Sequence, residues 1–426
     1  MDQGNTAFIL IGAALVLLMT PGLAFFYGGL VKAKSVISMM MMSFGALGLI
    51  GVLWVIYGYA IAFPTVEGTA TSPWLFDSSN FLLNAATADA AAPAGAYPTL
   101  AFVAFQATFA IITVALISGA IADRAKFGAW MIFAGIWATV VYFPVASWVF
   151  NFGLGADDAG NGIFSYGGWL TNGLEDVFGV GAIDFAGGTA VHINAGAAAL
   201  ALALVLGKRV GFAKGMGKPH NPPFVLLGAG LLWFGWFGFN AGSELAADGT
   251  AAIAFVNTLA APAAALLAWI LVEKIKDGKS TSVGAASGAV AGLVAITPAC
   301  GSLTPGYAII LGLLAGAVCA LAIDLKFKLG FDDSLDVVGI HLIGGIIGTL
   351  YLGFFANGTG LVYSGEATQL LVQAIAAFSV LIYSFVLAFI IGIIIEKTIG
   401  FRVKNEDEVA GIDSVVHGEE GYVLAD

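Results

Sequence analysis

All sixteen lysines and arginines of this 426-residue chain follow odd-numbered members of a series of long apolar stretches, and this regularity restricts the fold more than any motif. Proline, glycine and charge clusters divide the chain into stretches near 7–30, 36–62, 97–122, 128–150, 186–207, 222–244, 250–273, 283–301, 304–325, 336–356 and 368–396. About 20 apolar residues carry a helix across a bilayer, so the sequence predicts eleven transmembrane helices. Lys32 and Lys34 follow the first stretch, Arg124 and Lys126 the third, and Lys208, Arg209, Lys214 and Lys218 the fifth. Lys274, Lys276 and Lys279 follow the seventh, Lys326 and Lys328 the ninth, and Lys397, Arg402 and Lys404 the eleventh. Basic loops stay in the cytoplasm, which puts the N-terminus outside and the C-terminus inside. With 59% hydrophobic and 10% charged residues, against roughly one-quarter charged in soluble domains, the expectation is an all-α, multi-pass protein of the inner or plasma membrane.

The opposite loops carry acids: Glu67, Asp77, Asp89, Asp157, Asp158, Glu175, Asp176, Asp248 and Glu366. Such a face concentrates cations, or simply keeps the loops soluble. The net charge of −11 argues against nucleic acid as a partner, since phosphate binding needs a basic surface. Cys300 and Cys319 lack CxxC or Cys/His spacing, so no metal site, disulfide framework or cofactor is expected. The first apolar run reads as a retained helix rather than a cleavable signal.

Two of the four histidines, His192 and His341, lie inside apolar stretches; His220 and His417 lie in polar ones. An ionisable group within a bilayer is costly and marks a transport path, a proton relay or a ligand site; the plainer alternative is a buried imidazole bonded to a backbone carbonyl. The histidines fall in the fifth and tenth stretches. Five crossings reverse the starting side, so a tandem repeat of five is an inverted repeat, with its site expected at the midplane. This divides the chain into repeat one at about 7–207, repeat two at about 222–356, a last helix at about 368–396 and a cytoplasmic tail, 397–426. Each histidine helix opens with an aspartate, Asp184 or Asp336, eight and five residues before its histidine. The 58 glycines suit close helix packing in lipid.

The runs MTPGLAFFYGGLV at 19–31, DFAGGTAVHINAG at 184–196, GKRVGF at 207–212, WFGFNAGS at 236–243, AITPACG at 295–301, DVVGIHLIGG at 336–345 and HGEEGY at 417–422 resemble, in order, the signatures of the Amt/Mep/Rh ammonium transporters, on the bacterial Amt side. The resemblance implies a homotrimer with one pore per subunit and a pseudo-twofold relating helices 1–5 to helices 6–10. His192 and His341 match the twin pore histidines. Phe109 and Phe239 match the stacked phenylalanines of the outer gate, with Phe105 nearby. Ser243 matches the hydroxyl that accepts from ammonium in the outer vestibule, and Asp184 a structural acid that acts through backbone groups. By the same resemblance the tail packs on the cytoplasmic face and supports regulation by a PII-type signal protein. The implied function is transport, with ammonium recruited outside and ammonia passed along the histidines; the relay chemistry of two imidazoles in contact adds the expectation that the proton released also crosses, making transport electrogenic. Methylammonium is a candidate second substrate.

The chemistry suits these residue types. Potassium and ammonium are similar in size and charge, but a directional acceptor favours the ion that donates hydrogen bonds, and only ammonium can give up a proton. One departure stands out. The family's vestibule tryptophan, aligned through YFP at 142–144, falls on Phe150 in ASWVFNFG. Trp148, the other recruitment candidate, lies about 200° away around the helix; the expectation is either a weaker outer site or one completed by an aromatic of the 151–183 loop such as Phe152 or Trp169. Competing readings are an ammonium sensor that conducts little, a passive ammonia channel and an ion-coupled transporter of a larger solute. An intramembrane enzyme fits least, because the chain has no HExxH helix and no evident pair of catalytic carboxylates.

Overall fold

The computed structural model describes residues 1–64, 78–84, 86, 97–151, 168–212 and 217–422. The outer acids Glu67, Asp77, Asp89, Asp157 and Asp158, the basic Lys214 and the aromatic Phe152 lie outside the described residues. Among the described residues there is helix and no strand. Ten helical segments are long and apolar enough to cross a membrane: α1 (Gln3–Leu30), α2 (Ala33–Ala62), α3 (Thr99–Ile121), α4 (Phe127–Phe150), α5 (Gly188–Leu206), α6 (Pro222–Glu244), α7 (Gly249–Asp277), α9 (Pro305–Leu329), α10 (Val338–Phe355) and α11 (Thr368–Thr398).

Between α7 and α9 lies α8 (Ser282–Ile296), apolar but only 15 residues long. At about 1.5 Å per residue it falls short of a hydrocarbon core of about 30 Å. The sequence predicts a helix to residue 301. Instead Pro298 interrupts the ladder and its carbonyl accepts from the N–H of Phe185 at 3.1 Å. Asn257 of α7 donates to the carbonyls of Cys300 and Leu303 at 2.7 and 2.8 Å. Irregular backbone is tolerated at such depth when protein groups satisfy it.

Glycine sets the helix spacing. A Cβ on Gly228 of α6 would stand 2.2 Å from the backbone nitrogen of Phe26 in α1, and one on Gly312 of α9 would stand 2.1 Å from the carbonyl oxygen of Ala261 in α7. In α10, Gly348 approaches the carbonyl oxygen of Ala295 in α8 equally closely. Backbone rides on backbone at these crossings, as expected where dispersion rather than hydrophobic burial drives association.

The segments after α3, α5 and α9 converge in a buried ion network. Arg209 donates to both carboxylate oxygens of Asp332, at 2.9 Å from Nε and 2.8 Å from Nη2, and to Asp123 at 3.2 Å. Arg124, fully buried, lies 4.0 Å from Asp332 and donates to the Asp332 carbonyl at 2.5 Å. Burial alone would raise the Asp332 carboxyl, but the hydrogen bonds and charges of Arg209 and Arg124 hold it below the usual carboxylate value. Its stabilisation is therefore present above that value and lost only as pH falls through the lower folded-state value. Removing one partner of a buried pair strands the other. Asp332→Asn is expected to cost about 3–5 kcal/mol, against about 0–1 kcal/mol for Lys276→Ala, which breaks the exposed pair with Asp324. Melting curves of the two purified variants in one detergent check the contrast; equal shifts would contradict it.

The tail docks on this same face. Glu408 accepts from the N–H of Val210 at 2.6 Å and from Arg402 at 2.7 Å. Asp413 accepts from the N–H groups of Ile37 and Ser38, in the first turns of α2, at 3.0 and 2.8 Å. The hydroxyl of Tyr422 bonds His220 at 2.8 Å, and the ring of His417 meets Phe127.

Candidate functional site

α5 and α10 are alike at their origins, and that likeness builds the site. Each begins as an irregular wide turn, Gly188–Ile193 and Val338–Leu342. The first is organised by Asp184. Its carboxylate accepts from the N–H groups of Gly187, Gly188, Thr189 and Ala190 at 2.8, 2.5, 2.8 and 3.1 Å, and from the Thr189 hydroxyl. Gly187 sits at φ +118°, which lets the chain fold back over the carboxylate. Five donors occupy this acid, so it acts on the backbone.

The sequence pairs Asp184 with Asp336; the structure corrects this. Asp336 pairs with Lys326. Asp333 accepts from the N–H of Val338 at 2.7 Å, as Asp184 does from Thr189, five residues along in both cases. Asp333 also precedes His341 by eight residues, the spacing of Asp184 to His192. The signal was present in the sequence, but the nearer aspartate obscured it.

These turns bring His192 and His341 together. Both are buried, with Nδ1 atoms 3.2 Å apart and rings tilted by 27°. An Nδ1 to Nδ1 hydrogen bond requires one donor and one acceptor, so the pair shares a single proton across the contact. Around them runs a narrow apolar cavity whose wall includes Met19, Leu23, Ile112, Val191, Leu232 and Val290. Trp236, which sequence reasoning missed, stacks on His192 at 5.4 Å and is held by its indole N–H to the Thr297 hydroxyl at 2.8 Å. Only its place in the WFGFNAGS run could have pointed to it. Asn194 and Asn240 donate to the Ala190 carbonyl and the Thr258 hydroxyl.

Phe239 stacks on Phe109 at 4.1 Å and 14° and leans toward His192 at 6.2 Å. Phe105 packs beside Phe109 at 4.9 Å. Beyond this stack the Ser243 hydroxyl donates to the Phe239 carbonyl at 2.7 Å. Its proton is thereby committed, and its lone pairs remain to accept from a donor.

Phe150 meets Phe109 edge-on at 6.1 Å, whereas Trp148 turns away, with its ring 4.7 Å from Tyr383 and 5.7 Å from Trp169. The structure thus brings Phe150, and not Trp148 or Trp169, to the phenylalanine stack. No group of His, Cys, Asp and Glu arranged to hold a metal occurs among the described residues.

The model of the Ammonium Transporter Family matches residues 7–422. The ammonium transporter of Mycobacterium tuberculosis (strain ATCC 25618 / H37Rv) is 54% identical over 448 residues, covering 100% of this chain and 91% of that one. The ammonium transporter of Bacillus subtilis (strain 168) is 43% identical, covering 99% of each. Among solved structures, Candida albicans Mep2 superposes with a TM-score of 0.83 at 32% identity, over 96% of this chain and 88% of that one. A structure described as a sensor Amt protein superposes at 0.84 with 26% identity, over 97% and 98%.

Proposed function

This chain belongs to the ammonium transporter family and is a multi-pass membrane protein, and from that premise we propose that it recruits ammonium at the Ser243 end, deprotonates it there and conducts ammonia past His192 and His341 while the proton crosses electrogenically. The observation that carries this reading is the imidazole pair, bonded at 3.2 Å within an apolar passage below the Phe109 and Phe239 stack. A dehydrated cation is expensive in such a passage and a small neutral molecule is not. Ammonium donates to Ser243 and faces the rings of Phe109 and Phe150, which attract any cation by about 0.5–2 kcal/mol each. The proton moves by way of the shared histidine bond.

In this reading α8 completes a set of eleven membrane helices, with the N-terminus outside and the basic face in the cytoplasm. Helices α1–α5 and α6–α10 form an inverted repeat; the matching roles of Asp184 and Asp333 support it. The membrane domain occupies 1–396 and the tail 397–426 regulates, through a PII-type protein and through neighbouring subunits of a homotrimer. The relatives are named as transporters, which argues against an enzyme.

The test is purified protein in a supported membrane, given ammonium and potassium jumps, alongside uptake of radiolabelled methylammonium into liposomes. Current with ammonium and none with potassium is expected. Uptake without current would leave a passive ammonia channel, and neither would favour the sensor reading.

Phe150 supplies a graded test. Tryptophan is the strongest cation–π partner, and phenylalanine lacks its N–H donor. Phe150→Trp is expected to lower the half-saturating ammonium concentration a few-fold, or about 0.5–1 kcal/mol, with little change in maximal current. A response to Trp148→Phe and none to Phe150→Trp would show that the recruiting aromatic is Trp148.

A further inference from the structure

The chain enters α5 through a stretch without regular structure, and one side chain from the last helix grips it immediately before Asp184. Gln373 of α11 is fully buried. Its Oε1 accepts from the N–H of Ile183 at 2.7 Å, and its Nε2 donates to the Ile183 carbonyl at 2.8 Å. The remaining Nε2 hydrogen goes to the Thr349 carbonyl of α10 at 3.1 Å, and Oε1 also accepts from Nε2 of Gln369 at 3.2 Å. Gln369 in turn donates to the Gly181 carbonyl at 3.0 Å. A carboxamide offers two donors and two acceptor sites, and here every one is used. A fully satisfied buried amide fixes its surroundings in one arrangement, because any shift leaves a polar group unpaired at low dielectric. Three turns further along α11, the Ser384 hydroxyl donates to the carbonyl of Asn194 at 2.8 Å, two residues past His192. The last helix therefore holds the Asp184 to His192 element at both ends.

We propose that Gln373 is a positioning residue for the conduction path: it fixes the backbone of Ile183 so that the Asp184 carboxylate caps the turn and His192 meets His341. The inference rests on the reading of the histidine pair as that path. Irregular backbone at membrane depth has no water to satisfy it, so its position is set by the groups that bond it. A displacement of about 1 Å in a group that must align for transfer costs orders of magnitude in rate. Gln373 touches no substrate and acts through Asp184.

The experiment compares wild type, Gln373→Met, Gln373→Glu and Gln369→Leu in supported membranes, reading the maximal ammonium current per folded protein, the ammonium-to-potassium current ratio and the melting temperature. Ile382→Leu, on the exposed side of α11, serves as control. Gln373→Met, near in shape but without the four bonds, is expected to lower the maximal ammonium current about tenfold or more and to lower the current ratio. Gln373→Glu keeps an acceptor for the Ile183 N–H and loses both donations, so an intermediate shift is expected; Gln369→Leu leaves the Ile183 bonds in place and should shift least. A merely structural role would lower the melting temperature and yield while the folded fraction kept wild-type maximal current and selectivity, and that result overturns the proposal. Should Gln373→Met fail to fold, Gln373→Glu decides on the same two readouts. Wild type without ammonium-selective current would instead sink the functional reading itself.

Discussion

His192→Ala and His341→Ala are each expected to abolish the preference for ammonium over potassium, lowering the current ratio by about tenfold or more as the apolar passage widens enough to admit water. Each histidine is the hydrogen-bond partner of the other at 3.2 Å, so either substitution removes the bond across which the proton passes. The cavity left by the His192 ring lies beside Trp236 and Phe239, both histidines line the same apolar cavity, and a hydrated path needs no deprotonation. Paired ammonium and potassium currents on both variants check this. Unchanged ratios in both would remove the histidine pair from the mechanism.

Asp184→Ala is expected to yield no folded transporter. Five donors lose their acceptor inside the protein, and each unsatisfied buried donor costs about 1–3 kcal/mol, so the loss rivals the roughly 5–15 kcal/mol stability of a whole domain. Asp184→Asn keeps one acceptor oxygen but turns the other into a donor facing N–H groups, and an intermediate loss is expected. Yield and melting temperature of both variants, followed by ammonium current in any folded material, are the measurements. A stable, fully active Asp184→Ala protein would contradict the assignment.

Much of the architecture was legible because its cause is local along the chain. Apolar length and basic punctuation locate ten helices to within a few residues of where they lie. The α8 terminus was not legible: Pro298 sits within an apolar run, and what ends the helix is its carbonyl bonding Phe185 and the Asn257 amide reaching across from α7. The rotation of α4 could be argued from helical geometry alone, since two residues turn a side chain through about 200°; Phe150 faces Phe109 and Trp148 faces Tyr383. The match of Asp333 to Asp184 lay in the sequence as an equal spacing, but which of two nearby aspartates caps the turn depends on where Lys326 reaches.

The sequence by itself determined that this protein is a helical membrane protein of the ammonium transporter family, because hydropathy, charge placement and the order of short motifs are properties of the chain that survive without coordinates. Only the tertiary structure decided that the two imidazoles meet through Nδ1, that Ser243 has committed its proton to Phe239, and that Trp236 and Gln373 hold the parts in register. Those are contacts between residues up to about 190 positions apart, and their geometry depends on helix crossings set by glycines packed backbone to backbone. Directional bonds of this kind are settled to a fraction of an ångström by packing, at a precision that residue types and spacings do not encode.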